Sequence, residues 1–331
     1  MSGPLRFTFA ISSYDHIERV VDGRVPIVNA EPLFIRLPIP EMFRRFVARR
    51  DWDVSEMSFV QYATLRATGD PNIVGVPAFP SRLYRQTAIF VRSDRIRVPE
   101  DLRGGRIGIV AWANSAAVWG RGLLADMHAI AAADVTWYQG GVERPGRPEV
   151  VRPRWLPDDV TMIAATDRGI EEMLWDGDLE AIIVPSPPAT VESSVRSRGL
   201  VRLLYDDYPE AERAYRERTG CLPIMHTVAM TRELYDRDPD ILRRIYAALE
   251  QSRREYFAEL AAAQSALVPI PWVDEHLATV RAAIGEDVWP YGVEGNRATF
   301  DTMLRYARHS GLIGPDFTVE QIYPEWQELC G

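Results

Sequence analysis

Short β-prone runs that end in small polar residues, each followed by a helix-length amphipathic stretch, recur along most of this chain and leave few folds open to it. Residues 5 to 12 alternate as a strand and stop at Ser12-Ser13-Tyr14-Asp15-His16, where Ser13 or Asp15 would cap a helix from Ile17 to Val21. A second short strand is expected at 33 to 37, and residues 40 to 50 set Met42, Phe43, Phe46 and Val47 on one side of a helix. Residues 52 to 58 read as a third strand, with Ser58 opening a helix through Tyr62 and Leu65. Later strands are expected at 88 to 92, 106 to 110, 135 to 138, 181 to 184 and 200 to 206, and helices from Ser115, over 167 to 175 and over 208 to 218. The stretch 142 to 159 reads as an exposed excursion. From Pro239 the chain turns helical, with Ile241, Leu242, Ile245, Tyr246 and Leu249 at a 3.6-residue period and more helix near 273 to 284 and 296 to 309. Such a chain is α/β, and its ligands belong just beyond the carboxyl ends of the strands.

The chain has 331 residues, more than one small core holds, so two lobes are expected: residues 1 to 95 begin lobe I, 96 to 204 form lobe II, and 205 to 331 return to lobe I and add C-terminal helices. A net charge of -9 argues against nucleic acid as a partner and leaves room for a local basic pocket. Cys221 and Cys330 make no disulfide framework. Arg6 interrupts the only candidate for an export signal and no run reaches the length of a membrane helix, so cytoplasmic residence and no membrane partner are expected. Gly104, Gly105 and Gly108 precede a strand instead of linking a strand to a helix, and no other cofactor signature is visible; no organic cofactor is expected. His16, Glu56 and His226 form a loose two-histidine, one-carboxylate set without helical spacing, and no metal is expected.

The run from Val76 to Val91 concentrates the chemistry. Arg82 and Arg85 stand between a loop bounded by Pro77 and Pro80 and an apolar strand, with Ser81 beside them, which suits a carboxylate or leaves two solvated surface groups. On a helical turn the two arginines would share a side; on a strand they would part. Tyr14 and His16 end the first strand. Ser58 and Ser115 each stand at a helix start and offer hydroxyls to an anion, or serve as caps. Ser186 ends a buried strand. His226 lies in an apolar run, as a satisfied core histidine or a group that titrates near neutrality. Trp272, Trp289 and Tyr291 line a cleft or fill helix junctions.

The order of strand-helix units, crossing, second lobe, return and helical tail resembles the type II periplasmic-binding-protein fold, a two-lobe α/β architecture that holds ligands in the cleft between lobes. A sharper resemblance rests on Tyr14-Asp15-His16, Ser55-Glu56-Met57-Ser58, Phe79-Pro80-Ser81-Arg82 with Arg85, Asp101-Leu102-Arg103-Gly104, Trp119-Gly120-Arg121-Gly122 and Pro223-Ile224-Met225-His226. Together these resemble the 4,5-dihydroxyphthalate decarboxylase family over residues 5 to 260. The resemblance implies a carbon-carbon lyase acting on a hydroxylated aromatic dicarboxylate. Its chemistry requires cations for the carboxylates, a base for the phenol and an acid for the ring carbon. Arg82 and Arg85 suit the first role. His16 and His226 suit the other two, with Arg82, His16 and His226 as catalytic residues and Tyr14, Glu56, Ser58, Ser81, Arg85, Ser115 and Ser186 in substrate binding. Three places depart from the family pattern: Gln86 stands where a histidine is often found, Ser186 where an arginine often is, and Trp112 to Ser115 differ from the tyrosine and threonine expected there. The alternative is a non-catalytic solute-binding protein for an aromatic or sulfonated acid. A homo-oligomer and hinge closure of the two lobes on ligand are further expectations.

Overall fold

The computed structural model describes residues 3 to 146, 151 to 187, 199 to 262 and 271 to 330. Its strands are β1 (Leu5–Ala10), β2 (Ala30–Ile35), β3 (Val54–Ser58), β4 (Ile73–Val76), β5 (Ile89–Arg92), β6 (Arg106–Ile109), β7 (Thr136–Gln139), β8 (Thr161–Ala164), β9 (Ala181–Ile183), β10 (Val201–Leu203) and β11 (His226–Thr231). The helices are α1 (Glu18–Val21), α2 (Ile39–Arg49), α3 (Phe59–Ala67), α4 (Ser115–His128), α5 (Ile170–Asp176), α6 (Tyr208–Thr219), α7 (Arg232–Arg237), α8 (Ile241–Ala262), α9 (Val273–Ile284), α10 (Arg297–His309) and α11 (Pro324–Cys330).

Two sheets result, in the orders β2-β1-β3-β11-β4 and β10-β5-β9-β6-β7-β8. β1, β2 and β3 run parallel, while β11 returns antiparallel between β3 and β4. The chain crosses between the sheets over residues 77 to 88 and 204 to 225, and the two crossings lie side by side: Arg82 bridges Ile224, and Leu83 N–H donates to the Pro223 carbonyl at 3.1 Å. This is the two-lobe α/β fold expected, with a helical C-terminal part. β5 pairs with β9 and β10, so residues 89 to 92, which the sequence reading assigns to lobe I, belong to the second sheet.

Three local expectations are corrected. Neither Ser13 nor Asp15 caps α1; Ile17 occupies the cap position without a side-chain bond. β8 adds an edge strand directly after the segment read as an excursion, and it is exposed along its whole length, which hides it from any search for alternating burial. Trp272, read as a cleft or junction residue, is 79% exposed.

One hydrophobic core runs through both halves, joining Phe9, Met57 and Phe79 of the first with Ile107, Trp119 and Ile183 of the second. α10 fastens them further. Its Phe300 packs on Phe59 and Phe79 with ring centroids 5.4 and 5.8 Å apart, while its Tyr306 meets Trp119 of α4 edge-on at 5.5 Å. Arg305 of α10 grips Asp126 of α4 through two bonds of 2.7 Å, and the Tyr306 hydroxyl donates to the same carboxylate at 2.5 Å. Two glycines of α4 make the approach possible: a Cβ at Gly122 would stand 2.1 Å from the Tyr306 ring, and one at Gly120 would stand 2.8 Å from Ile183. Among the described residues, no helix is long and apolar enough to cross a membrane.

Candidate active site

Sheet register assembles the centre of the site. β3 and β11 pair with His226 opposite Ser58 and Val228 opposite Glu56, so Glu56 and His226 are diagonal neighbours on one face. Because β11 is antiparallel, its first residue lies at the carboxyl end of β3, where an α/β sheet presents its ligands. Glu56 is fully buried, yet no bond of its carboxylate is missing. Oε1 accepts from the Tyr14 hydroxyl at 2.6 Å and faces His226 Nδ1 at 2.6 Å, and Oε2 accepts the Ser12 backbone N–H at 2.9 Å just past the end of β1. Burial works to raise the Glu56 carboxyl, but the bond and charge of His226, with the Tyr14 and Ser12 donors, outweigh it and hold the group below the usual carboxylate range.

An ionised Glu56 fixes the imidazole: Nδ1 carries its proton toward Oε1, which leaves Nε2 as the working nitrogen. Among the described residues Nε2 has no hydrogen-bond partner, and 15% of the side chain remains exposed. Phe43 of α2 stands edge-to-face against the ring, centroids 4.8 Å apart at 85°, and limits its rotation. Burial first, then the charge of Glu56 and the bond to it, push the Tyr14 phenol far above its ordinary range, so Tyr14 is a neutral donor and not a base. The Ser81 hydroxyl lies against that phenol.

Arg85 is the cation of this region. It is 6% exposed, its Nε meets the Met225 sulfur at 2.8 Å and its Nη1 donates to the Pro185 carbonyl at 3.3 Å, past the end of β9. No carboxylate pairs with it among the described residues, and burial pulls the guanidinium down to about 10. A thioether and one long carbonyl bond are weak partners for five donors, so Arg85 is a desolvated charge in want of an anion, set between the carboxyl ends of strands from both sheets.

The chain is 31% identical over 310 residues to 4,5-dihydroxyphthalate decarboxylase of Comamonas testosteroni, a match covering 93% of each protein. It is 36% identical over 186 residues to the protein of the same name from Pseudomonas putida, covering 56% of this chain and 72% of that one. The chain belongs to the 4,5-dihydroxyphthalate decarboxylase family. It is therefore a carboxy-lyase. No family model matches it. Solved structures share the fold at low identity: a putative sulfonate-binding protein of Methylobacillus flagellatus (TM-score 0.53, 13% identity, covering 99% of this chain and 96% of that one) and the aliphatic sulphonate binding protein SsuA of Escherichia coli (0.51, 14%, 99% of each).

In this decarboxylase the residues singled out in the sequence separate into groups. Tyr14, Glu56, Ser81 and His226 meet. His16 lies beside them, its ring 5.7 Å from that of Tyr14 and 5.6 Å from that of Trp289, but no hydrogen bond ties it to Glu56 or His226. Burial, helped by the charge of Arg253 and opposed by Glu56, lowers its imidazole to about 4, so it is neutral near pH 7 and a poor acid for the ring carbon. Among the described residues no three His, Cys, Asp or Glu side chains gather as metal ligands.

Arg82 departs from its expected catalytic place. Its guanidinium is held by the 286 to 296 loop and the second crossing, donating to the carbonyls of Leu222 at 3.1 Å and Pro290 at 2.5 Å and to Asn296 Oδ1. The two arginines thus part, as an extended segment requires. Ser58 and Ser115 bond each other at 2.8 Å, and Ser115 also donates to the Met225 carbonyl at 2.9 Å. Both hydroxyls are buried and spent on joining the halves. Ser58 also keeps its role as cap of α3. Ser186 is exposed beside Pro185, and Gln86 is buried with Nε2 on the Ala211 carbonyl at 3.2 Å. Phe43 and Met225 were not singled out: helical periodicity marks Phe43 only as apolar, and nothing local sets Met225 against Arg85.

Proposed function

We propose that this carboxy-lyase removes one carboxylate from 4,5-dihydroxyphthalate or a closely related hydroxylated aromatic dicarboxylate, with Arg85 holding a carboxylate and His226 delivering the proton that replaces carbon dioxide. The observation that carries the reading is the buried Glu56 carboxylate bonded to His226 Nδ1, which orients the imidazole with Nε2 left to act. The phenol oxygen para to the departing group pushes electron density onto the ring carbon, and that carbon takes the proton from Nε2. Its bond to the carboxylate then breaks, the electron pair restores the ring and carbon dioxide leaves. One proton is consumed per carboxylate lost, so His226 is recharged from solvent each turnover. His16 takes no proton-transfer step in this scheme.

The test is release of carbon dioxide from 4,5-dihydroxyphthalate and from a panel of hydroxylated aromatic acids by wild type and His226→Gln. Loss of turnover by at least about a hundredfold in the variant, with its fold intact by circular dichroism, supports the reading. Tight binding without product from any of these acids overturns it in favour of a solute-binding role.

A further inference from the structure

We infer that Tyr14 is a positioning residue that sets the acidity of His226 by sharing its hydrogen-bond acceptor, an inference that rests on the proton-donor role proposed above. Oε1 of Glu56 receives both groups at 2.6 Å, and the Tyr14 oxygen stands 3.2 Å from His226 Nδ1. With Glu56 ionised, both Tyr14 O–H and His226 Nδ1–H point at the same oxygen. Every part of its charge drawn by Tyr14 is withheld from the imidazolium. An isolated buried carboxylate would hold the imidazolium proton too firmly for transfer to carbon, whereas a general acid works best with its affinity near the ambient pH. Tyr14 is suited to this sharing because its phenol, buried beside a carboxylate, stays protonated.

The other groups near the ring are fixed. Phe43 carries no charge, Ser58 opposite His226 is bonded to Ser115, His16 stands beside the Tyr14 ring at 5.7 Å and is held neutral near pH 7 by burial, and Arg85 touches Met225, the preceding residue. Among the described residues Tyr14 is the neutral side chain bonded to Oε1 of Glu56 beside His226, so its removal changes the acceptor without changing net charge.

Tyr14→Phe keeps the ring and deletes the competing donor. Followed by NMR, the His226 imidazole titration midpoint is expected to rise by about one pH unit, the scale of one hydrogen bond to a charged group. The basic limb of the kcat profile should move upward with it. Replacement of Tyr14 by 3-fluorotyrosine, a stronger donor that preserves every contact, should move the midpoint the other way. A midpoint unmoved in both variants overturns the inference, and a raised KM with an unmoved midpoint overturns it by making Tyr14 a substrate contact. Turnover that survives His226→Gln sinks the proton-donor reading itself, a result separable from the titration.

Discussion

Arg85→Met should make the protein more stable and the enzyme worse. The guanidinium is 6% exposed, has no carboxylate partner among the described residues and is drawn by burial from its ordinary value down to about 10. At about 1.4 kcal/mol per tenfold change in proton affinity, that displacement corresponds to roughly 3 kcal/mol of charge desolvation carried by the unliganded fold. Methionine is close to the aliphatic stem of arginine in bulk and would lie against the Met225 sulfur without a charge to desolvate. Allowing for the two weak bonds lost, a net gain of about 1 to 2 kcal/mol is expected in denaturant unfolding. Substrate binding should move the opposite way: loss of a charge-assisted carboxylate contact costs about 2 to 5 kcal/mol, or a rise in KM on the order of thirty- to several-thousandfold. Guanidinium melts and initial-rate kinetics on the same preparation read both. A variant that is destabilised, or whose KM stays within a factor of about three of wild type, refutes the argument that this cation awaits an anion.

Glu56→Gln removes the charged acceptor that orients the His226 imidazole and should lower kcat by about a thousandfold while far-ultraviolet dichroism is unchanged; a tenfold loss or less would leave the pair without a catalytic role. His16, whose folded-state imidazole titrates near 4 against 6.5 when free, binds its proton later than the unfolded chain does, so stability should fall as pH drops from about 6.5 to about 4, by up to roughly 3 kcal/mol. His16→Phe should flatten that part of the stability curve, and an equally steep decline in the variant would count against it. Gly122→Ala places a methyl 2.1 Å from the Tyr306 ring and should cost about 2 kcal/mol or more in thermal unfolding, with a neutral result meaning that α10 yields easily. Small-angle scattering should give the same radius of gyration with and without saturating substrate; a measurable contraction would show that the halves do hinge.

Much of the clustering of the candidate site was legible because it depends on strand ends. Tyr14, Glu56 and His226 each sit where an apolar run meets polar residues, and the pleat carries that position into space. Their mutual geometry was not legible, since it is set by β11 returning antiparallel from 170 residues away beside Glu56. The fate of Arg82 was hidden for a similar reason: a loop around Pro290 and Asn296 claims its Nη2, and no local pattern announces a partner 214 residues distant. Arg85 shows the reverse, a cation whose importance lies in the partner it lacks. Paired hydroxyls at Ser58 and Ser115 looked like anion sites because a helix start reads the same whether a ligand or another helix start faces it.

A site set between two halves can close on its occupant by swinging one half against the other. A helix fastened to both halves works against that motion. If α10 keeps its grip on α4 at Asp126 and its seat on Phe59 and Phe79 during capture, as the scattering prediction requires, little of the free energy of capture goes into swinging one half against the other.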